Sequence, residues 1–277
     1  MDIKRVNKEI AEVEKTIRRT RKVRANEKLH VGVDLGTAYT VLTVLGEDFR
    51  PLACKMEFAQ VIRDGLVVDF LGAKEIVARL KEKAEKSLHT SLTHAAIAVP
   101  PGTSKANSMT HVYVVEGANM EVTSISDEPT AANEVLQIQD GAVVDIGGGT
   151  TGVSIFKAGE VVHVADEPSG GTHLSLVLAG NYGIPFEEAE QIKKDPKKAK
   201  ELFPIVRPVF DKMATIVEKE IQGRDVDIVY LVGGTCMMPG VEDVFEKRLG
   251  IKVVKPDNPL LVTPIGIAKS DIGESRG

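Results

Sequence analysis

The stretch 143-VVDIGGGTTGVSIF-156 decides how the chain is read. Gly147, Gly149 and Gly152 stand at G-x-G-x-x-G spacing, which on paper is a dinucleotide fingerprint. Such a loop needs its third glycine to open a helix, so that pyrophosphate rests on the helix N-terminus. Here Gly152 is followed by Val-Ser-Ile-Phe, an alternating β-type run, and the chain turns back as a hairpin. No G-x-x-x-x-G-K-[ST] stretch occurs either. What remains is a glycine-rich hairpin tip, whose backbone N–H groups can approach phosphate oxygens because no Cβ intervenes. Thr150 and Thr151 add hydroxyl donors there.

The same theme occurs earlier. His30–Gly36 (HVGVDLG) aligns with Ala142–Gly148 (AVVDIGG), pairing Asp34 with Asp145 across 111 residues. Each half opens with a buried-type strand, an aspartate, a glycine turn and a returning strand; Thr37 takes the hydroxyl position in the first. Two carboxylates beside a polyphosphate require a cation between them, and magnesium, held largely through water, suits. The competing reading is ordinary turn chemistry, since Asp before glycine is common in turns.

Around the tips, helices are expected near 72–88, 104–117 and 127–138, the last with Asp127 as cap and Pro129 in its first turn. In the second half, helices are expected at Pro185–Asp195, about Pro204–Gln222, Gly240–Leu249 and Thr263–Ser270, with strands at Asp227–Gly234 and Lys252–Pro256. Lys193–Lys200 (KKDPKKAK) reads as a solvated turn.

Composition is that of a globular protein, with 43% hydrophobic and 27% charged residues in 277. Two distant cysteines, Cys54 and Cys236, form neither a disulfide framework nor a zinc site, and read as core residues of a reduced, cytoplasmic protein. No apolar run reaches membrane-spanning length. Residues 1–28 carry ten Lys/Arg against five Asp/Glu, leaving 25 against 35 in the rest. An acidic body argues against nucleic acid as partner. Ile3, Val6, Ile10, Val13 and Ile17 form one helical stripe in the basic head. Three readings stand for it: packing on its own domain, docking a partner, or lying on a membrane surface.

Taken together, VDLGTA (33–38), DEPTAA (127–132), VVDIGGGTT (143–151), LVGGTCMMPGV (231–241) and TPIGIAKS (263–270) resemble the five motifs of the actin-like ATPase superfamily, which includes DnaK-type chaperones, FtsA, MreB and sugar kinases. The resemblance runs from about Leu29 to Ser270. It implies an α/β fold of two duplicated ribonuclease-H-like subdomain cores, at 29–141 and 142–277, with a nucleotide cleft between them and the helix 1–28 outside. ATP and Mg2+ are the implied cofactors. Asp34 and Asp145 would orient magnesium-bound waters, and Gly36, Thr37, Ala38, Gly147, Gly148, Gly149 and Thr150 would hold phosphates. Asp34, Glu128, Asp145 and Thr150 would be the catalytic set, Glu128 positioning or deprotonating the attacking water. Gly170, Gly171, Glu190, Lys193, Gly233, Gly234 and Met237 would line the nucleoside side; a plain i,i+3 ion pair equally accounts for Glu190 and Lys193.

Two departures bear on hydrolysis. Ala38 stands where DnaK-type chaperones have a second threonine, and the nearest candidates for their catalytic lysine are Lys55 and Arg63. Within the superfamily, the compact length, the segment Met56–Phe70 and the basic head resemble the ethanolamine-utilisation branch, encoded with bacterial microcompartment enzymes and described as chaperone-like. That branch implies ethanolamine-degrading enzymes or the microcompartment shell as partners, and a cytoplasmic or microcompartment-associated location. A Mg-dependent ATPase, a nucleotide-gated scaffold with little turnover, and a filament subunit are the three functional expectations.

Overall fold

The structure, a computed structural model, describes residues 1–63 and 65–273. Asp64, in the Met56–Phe70 segment, and the expected subdomain end at 274–277 lie outside the described residues. The chain divides into two compact units, Met1–Gln137 with Leu261 onward, and Ile138–Leu260.

The first unit opens with helix α1 (Ile3–Arg18), followed by strands β1 (His30–Leu35), β2 (Tyr39–Leu45) and β3 (Pro51–Phe58). A short hairpin, β4 (Ile62–Arg63) and β5 (Leu66–Val67), leads to α2 (Phe70–Leu88). Then come β6 (His94–Val99), α3 (Lys105–Glu116), β7 (Glu121–Asp127) and α4 (Glu128–Leu136). The sheet order is β3-β2-β1-β6-β7, with the first three strands antiparallel and the rest parallel to β1. Side-chain caps start three of this unit's helices: Asp69, Ser104 and the expected Asp127 accept from Gly72, Asn107 and Thr130 N–H groups.

The second unit repeats this plan. β8 (Gly141–Ile146), β9 (Thr151–Lys157) and β10 (Glu160–Glu167) form the antiparallel part. Helices α5 (Gly171–Tyr182), α6 (Phe186–Lys194) and α7 (Ala199–Ile221) follow, then β11 (Ile228–Val232), α8 (Val241–Leu249) and β12 (Lys252–Val254). Its order, β10-β9-β8-β11-β12, matches the first sheet strand for strand. The expected duplication is therefore the architecture. Helix α5 escaped the sequence reading because its apolar residues lack a helical period, and Leu176 and Val177 are exposed. Helix α7 begins five residues before Pro204 and carries Pro204 and Pro208 inside it. Interior prolines cost helix stability; burial of Leu202, Val206, Phe210 and Met213 along one face offsets that.

Two expected boundaries are corrected. The last helix, α9 (Val262–Lys269), belongs to the first unit, so 142–277 is not one subdomain. It lies between β1 and α4 through small residues: a Cβ on Gly32 would meet the Ala268 nitrogen at 2.4 Å, and one on Gly266 the Ala131 carbonyl oxygen at 1.8 Å. Residues 1–28 are not a separate head either. Val6, Ile10 and Val13 are at most 1% exposed, packed in the first unit where α1 lies against β3. Arg5 donates to the Val135 carbonyl at 2.6 Å, and Lys269 pairs with Glu9 at 2.8 Å, tying α1 to α4 and α9. The apolar stripe is thus spent on the protein's own core and cannot serve as a docking face.

Beyond α9, Asp271 is 2% exposed. Its carboxylate accepts from Val31 N–H (2.8 Å), Thr123 Oγ1 (2.5 Å) and Gly273 N–H (3.0 Å), with His94 Nε2 at 3.2 Å. Burial alone would push this carboxyl up; the four donors outweigh it and hold the group below the ordinary aspartate range. A group depressed in the folded state contributes stability that is fully present above its unfolded value and lost as pH falls through the folded one. Asp271→Asn should lower stability at neutral pH by about 1–3 kcal/mol. It should also flatten the decline that wild type shows below about pH 4. Urea midpoints measured from pH 7 to pH 3 check this; equal acid slopes in the two proteins would count against the assignment.

Candidate functional site

In the second unit the C-terminal ends of β8 and β11 lie side by side, with Asp145 opposite Val232. That edge of a parallel sheet is where ligands bind in open α/β folds. Asp145 is 5% exposed. The turn after β11 passes so close that a Cβ on Gly233 would lie 2.3 Å from Asp145 Oδ1, and Gly233 has φ +91°. Only glycine meets both demands. Gly234 starts a 3-10 turn ending at Met237, which is 46% exposed, whereas Cys236 is buried and donates to the Val232 carbonyl. Burial raises both thiols, Cys54 to about 11 and Cys236 further, the Asp145 charge adding to the latter.

The glycine tip is held from behind. Gly147 N–H donates to the Thr150 carbonyl at 3.0 Å, closing the turn. The Gly147 carbonyl accepts from Gly171 N–H (3.0 Å) and from Thr235 Oγ1 (2.7 Å); the Gly148 carbonyl accepts from Thr172 N–H (2.7 Å). A trans peptide sets its N–H opposite its C=O. Pinning those two carbonyls on the first turn of α5 therefore turns the Gly148 and Gly149 N–H groups the other way, as fixed donors. Gly170 packs directly on this loop: a Cβ there would sit 2.7 Å from the Gly149 carbonyl carbon and 2.8 Å from the Gly147 oxygen. Thr150 and Thr151 are buried, and Thr151 Oγ1 donates to the Ser169 carbonyl.

Glu190 and Lys193 do form the i,i+3 pair, at 2.6 Å, but they do more. Lys193 Nζ also donates to the Gly171 carbonyl at 2.9 Å, and Ser175 Oγ donates to Glu190 at 2.5 Å. The pair thus braces the turn that holds the tip. Burial would raise the Glu190 carboxyl, yet Lys193, Ser175 and Lys194 outweigh it and keep it below the ordinary glutamate range; burial lowers the Lys193 ammonium. Thr235 and Ser175 were not legible as site residues. Thr235 follows the Gly-Gly pair directly, the one signal that could have found it.

The first unit holds the equivalent set. Gly36 N–H donates to the Tyr39 carbonyl at 3.0 Å, and a Cβ on Gly36 would meet that oxygen at 2.7 Å. Ala59 N–H binds the Ala38 carbonyl at 3.1 Å, fixing the far side of the tip. Thr37 and Asp34 are half-buried. Glu128 opens α4 directly after β7, and Asp127 caps that helix through Thr130 N–H and Oγ1 at 2.9 and 2.7 Å. β6 lies between β1 and β7, so Glu128 stands two strand spacings, about 10 Å, from the strand of Asp34 on the same sheet edge.

The lysine candidates fare differently. Leu42 pairs with both Val33 and Lys55, so Lys55 projects from the face opposite Asp34, while Met56 shares the Asp34 face. Lys55 cannot reach the Asp34 carboxylate. Arg63 lies exposed in the short hairpin.

The residues present fit a nucleotide with magnesium. Each unit offers a tip with close backbone approach and one carboxylate; among the described residues no group of three His, Cys, Asp or Glu is placed to hold a metal directly. That donor set suits an ion retaining most of its waters and bound mainly by phosphate.

Comparison with known proteins bears on the fold and the family. The family model "Cell division protein FtsA" matches residues 142–266, and "Hsp70 protein" matches residues 71–176. The chain is 28% identical over 221 residues to the chaperone protein HscA homolog of Rickettsia prowazekii, covering 68% of this chain and 37% of that protein. It is 45% identical over 250 residues to the ethanolamine utilization protein EutJ of Salmonella typhimurium, covering 90% of this chain and 88% of the relative. The crystal structure of EutJ from Carboxydothermus hydrogenoformans superposes with a TM-score of 0.91 at 45% identity, over 97% of this chain and 99% of that one. The duplicated sheets, the paired Asp–glycine tips and these similarities place the chain in the EutJ family of ethanolamine-utilisation proteins, built on the actin-like ATPase fold.

Proposed function

We propose that this protein binds ATP with magnesium and couples the nucleotide cycle to assembly or reactivation of ethanolamine-utilisation enzymes or their microcompartment shell, in the cytoplasm or at that compartment. The observation that carries the nucleotide part is the Gly147–Thr150 tip, whose carbonyls are pinned to α5 so that its N–H groups stand as preset donors for phosphate oxygens. Preset donors need no reorganisation when charge develops, which is what electrostatic stabilisation of phosphoryl transfer requires. Bound magnesium would neutralise phosphate charge, with Asp34 and Asp145 orienting its waters. Glu128 would hold or deprotonate the attacking water. The partner assignment rests on the EutJ relatives.

A second reading has its own support. With Ala38 in the first tip and Lys55 on the wrong face of the sheet, no lysine of β3 stabilises the leaving phosphate from the Asp34 side. Turnover would then be slow, and nucleotide would act chiefly as a gate for partner binding.

Calorimetric titration with ATP tests both readings. Binding should require or be strengthened by magnesium, and Gly170→Ala should weaken it at least ~10-fold by pushing the tip forward. Absence of binding heat with or without magnesium would remove the nucleotide reading altogether.

A further inference from the structure

Helices α7 and α8 of the second unit run past each other near Phe203 and Gly240, leaving an open groove with a cavity of about 650 Å³. Its apolar part is built by Phe203, Val244, Pro204 and Pro239, with Phe203 braced by stacking on Phe210 at 6.0 Å. Proline rings and a stacked aromatic lose little conformational freedom when covered, so the walls are preorganised for binding. The rim carries Lys200, Arg207 and Lys247 against the single lining acid Asp243, and among the described residues Arg207 is paired with Asp211 at 3.9 Å. Lys197 and Lys198, both exposed, stand at the turn leading into α7. This is the Lys193–Lys200 run, of which Lys193 and Lys194 pair with Glu190 at the candidate site while the remaining lysines do not. The local charge is opposite to that of the acidic chain around it, where 25 Lys/Arg face 35 Asp/Glu after residue 28.

Lys200 and Arg207 are seven residues apart on one helix, about 10 Å along its axis, with Phe203 and Pro204 between them. A helix of matching pattern, with acids at i and i+7 and apolar residues at i+3 and i+4, presents complementary groups at the same repeat. We propose that this groove docks an acidic amphipathic helical segment of a partner protein, its apolar side chains against Phe203 and Val244 and its carboxylates on Lys200, Arg207 and Lys247. Apolar anchors supply most of such binding, while exposed ion pairs set selectivity and orientation. None of these residues belongs to the glycine tip or to the groups that hold it, so the surface is independent of nucleotide binding.

The test uses the full chain and two labelled synthetic helical peptides sharing one leucine pattern, with Glu at every other position in the first and Lys in the second. By fluorescence anisotropy the Glu peptide should bind at least ~10-fold more tightly than the Lys peptide, weaken as salt is raised, and lose at least ~10-fold in affinity to the triple variant K200E/R207E/K247E. Amide shifts of Val244 and Phe203 should move on titration. All three substitutions are at exposed positions, and an unchanged melting temperature verifies the fold of the variant. Equal binding of the two peptides, no binding up to millimolar concentration, or equal binding by the triple variant would overturn the proposal. So would saturation of the same amide shifts by inorganic phosphate alone, or self-association abolished by the triple variant, which would assign the groove to a small anion or to a second copy.

Discussion

Glu128→Ala should lower magnesium-dependent phosphate release by about 10²–10⁴-fold while leaving ATP affinity within about threefold of wild type. Glu128 is the first residue of α4, and its backbone is fixed by the Asp127 cap behind it and Pro129 after it. That rigidity suits positioning of one water, because misplacement by an ångström at such a site is costly. The residue is outside both glycine tips, so its removal should leave ground-state phosphate binding nearly intact. A phosphate-release assay on wild type, Glu128→Ala and Glu128→Gln, paired with calorimetry on each, separates the two functional readings. If wild type binds ATP yet releases no phosphate above background, the gated-scaffold reading replaces the ATPase. If Glu128→Ala hydrolyses as fast as wild type, Glu128 is only a favourable first-turn acid.

Gly266→Ala should destabilise the first unit by about 3 kcal/mol or more, lowering the melting temperature by roughly 6–12 °C. The added Cβ would fall 1.8 Å from the Ala131 carbonyl oxygen, a backbone atom of α4 that cannot swing aside. Gly32 of β1 also packs on α9 too closely for a side chain, a Cβ there falling 2.4 Å from the Ala268 nitrogen. The helix therefore has no direction in which to retreat. Gly180→Ala is the matched control: Gly180 is inside α5, and a Cβ there meets nothing within 4 Å. It should stabilise by about 0.5–1 kcal/mol, from reduced freedom of the unfolded chain and better helix propensity. Equal melting temperatures for Gly266→Ala and wild type would contradict the close packing of α4 on α9.

Much of the architecture was legible because its signals are short-ranged. Alternation marked β1, β2, β8 and β9; Asp-apolar-Gly turns marked both hairpin tips; Asp127 and Pro129 marked the start of α4. The repeat of HVGVDLG in AVVDIGG carried the duplication, since equal local patterns fold into equal hairpins. Where a signal was weak or contradictory the reading slipped. Helix α5 has no polar face to betray its period, and Pro204 looks like a helix start although it stands in the second turn of α7. The glycines at 36, 170 and 233 were legible as site candidates, but the reason each must be glycine lies in atoms brought from elsewhere in the chain.

By itself the sequence determined the strand–turn–strand hairpin that opens each half, the two aspartates at strand ends and the glycines after them, because those choices depend on residues within a few positions of one another. Only the tertiary structure decided that the stripe of α1 is buried, that α9 returns to the first unit, that Lys55 faces away from Asp34, and that Thr235 and α5 pin the Gly147 carbonyl. An apolar stripe or a hydroxyl is equally content with many partners. Which one it meets follows from the strand order and register that bring distant segments together, and no local pattern encodes that choice.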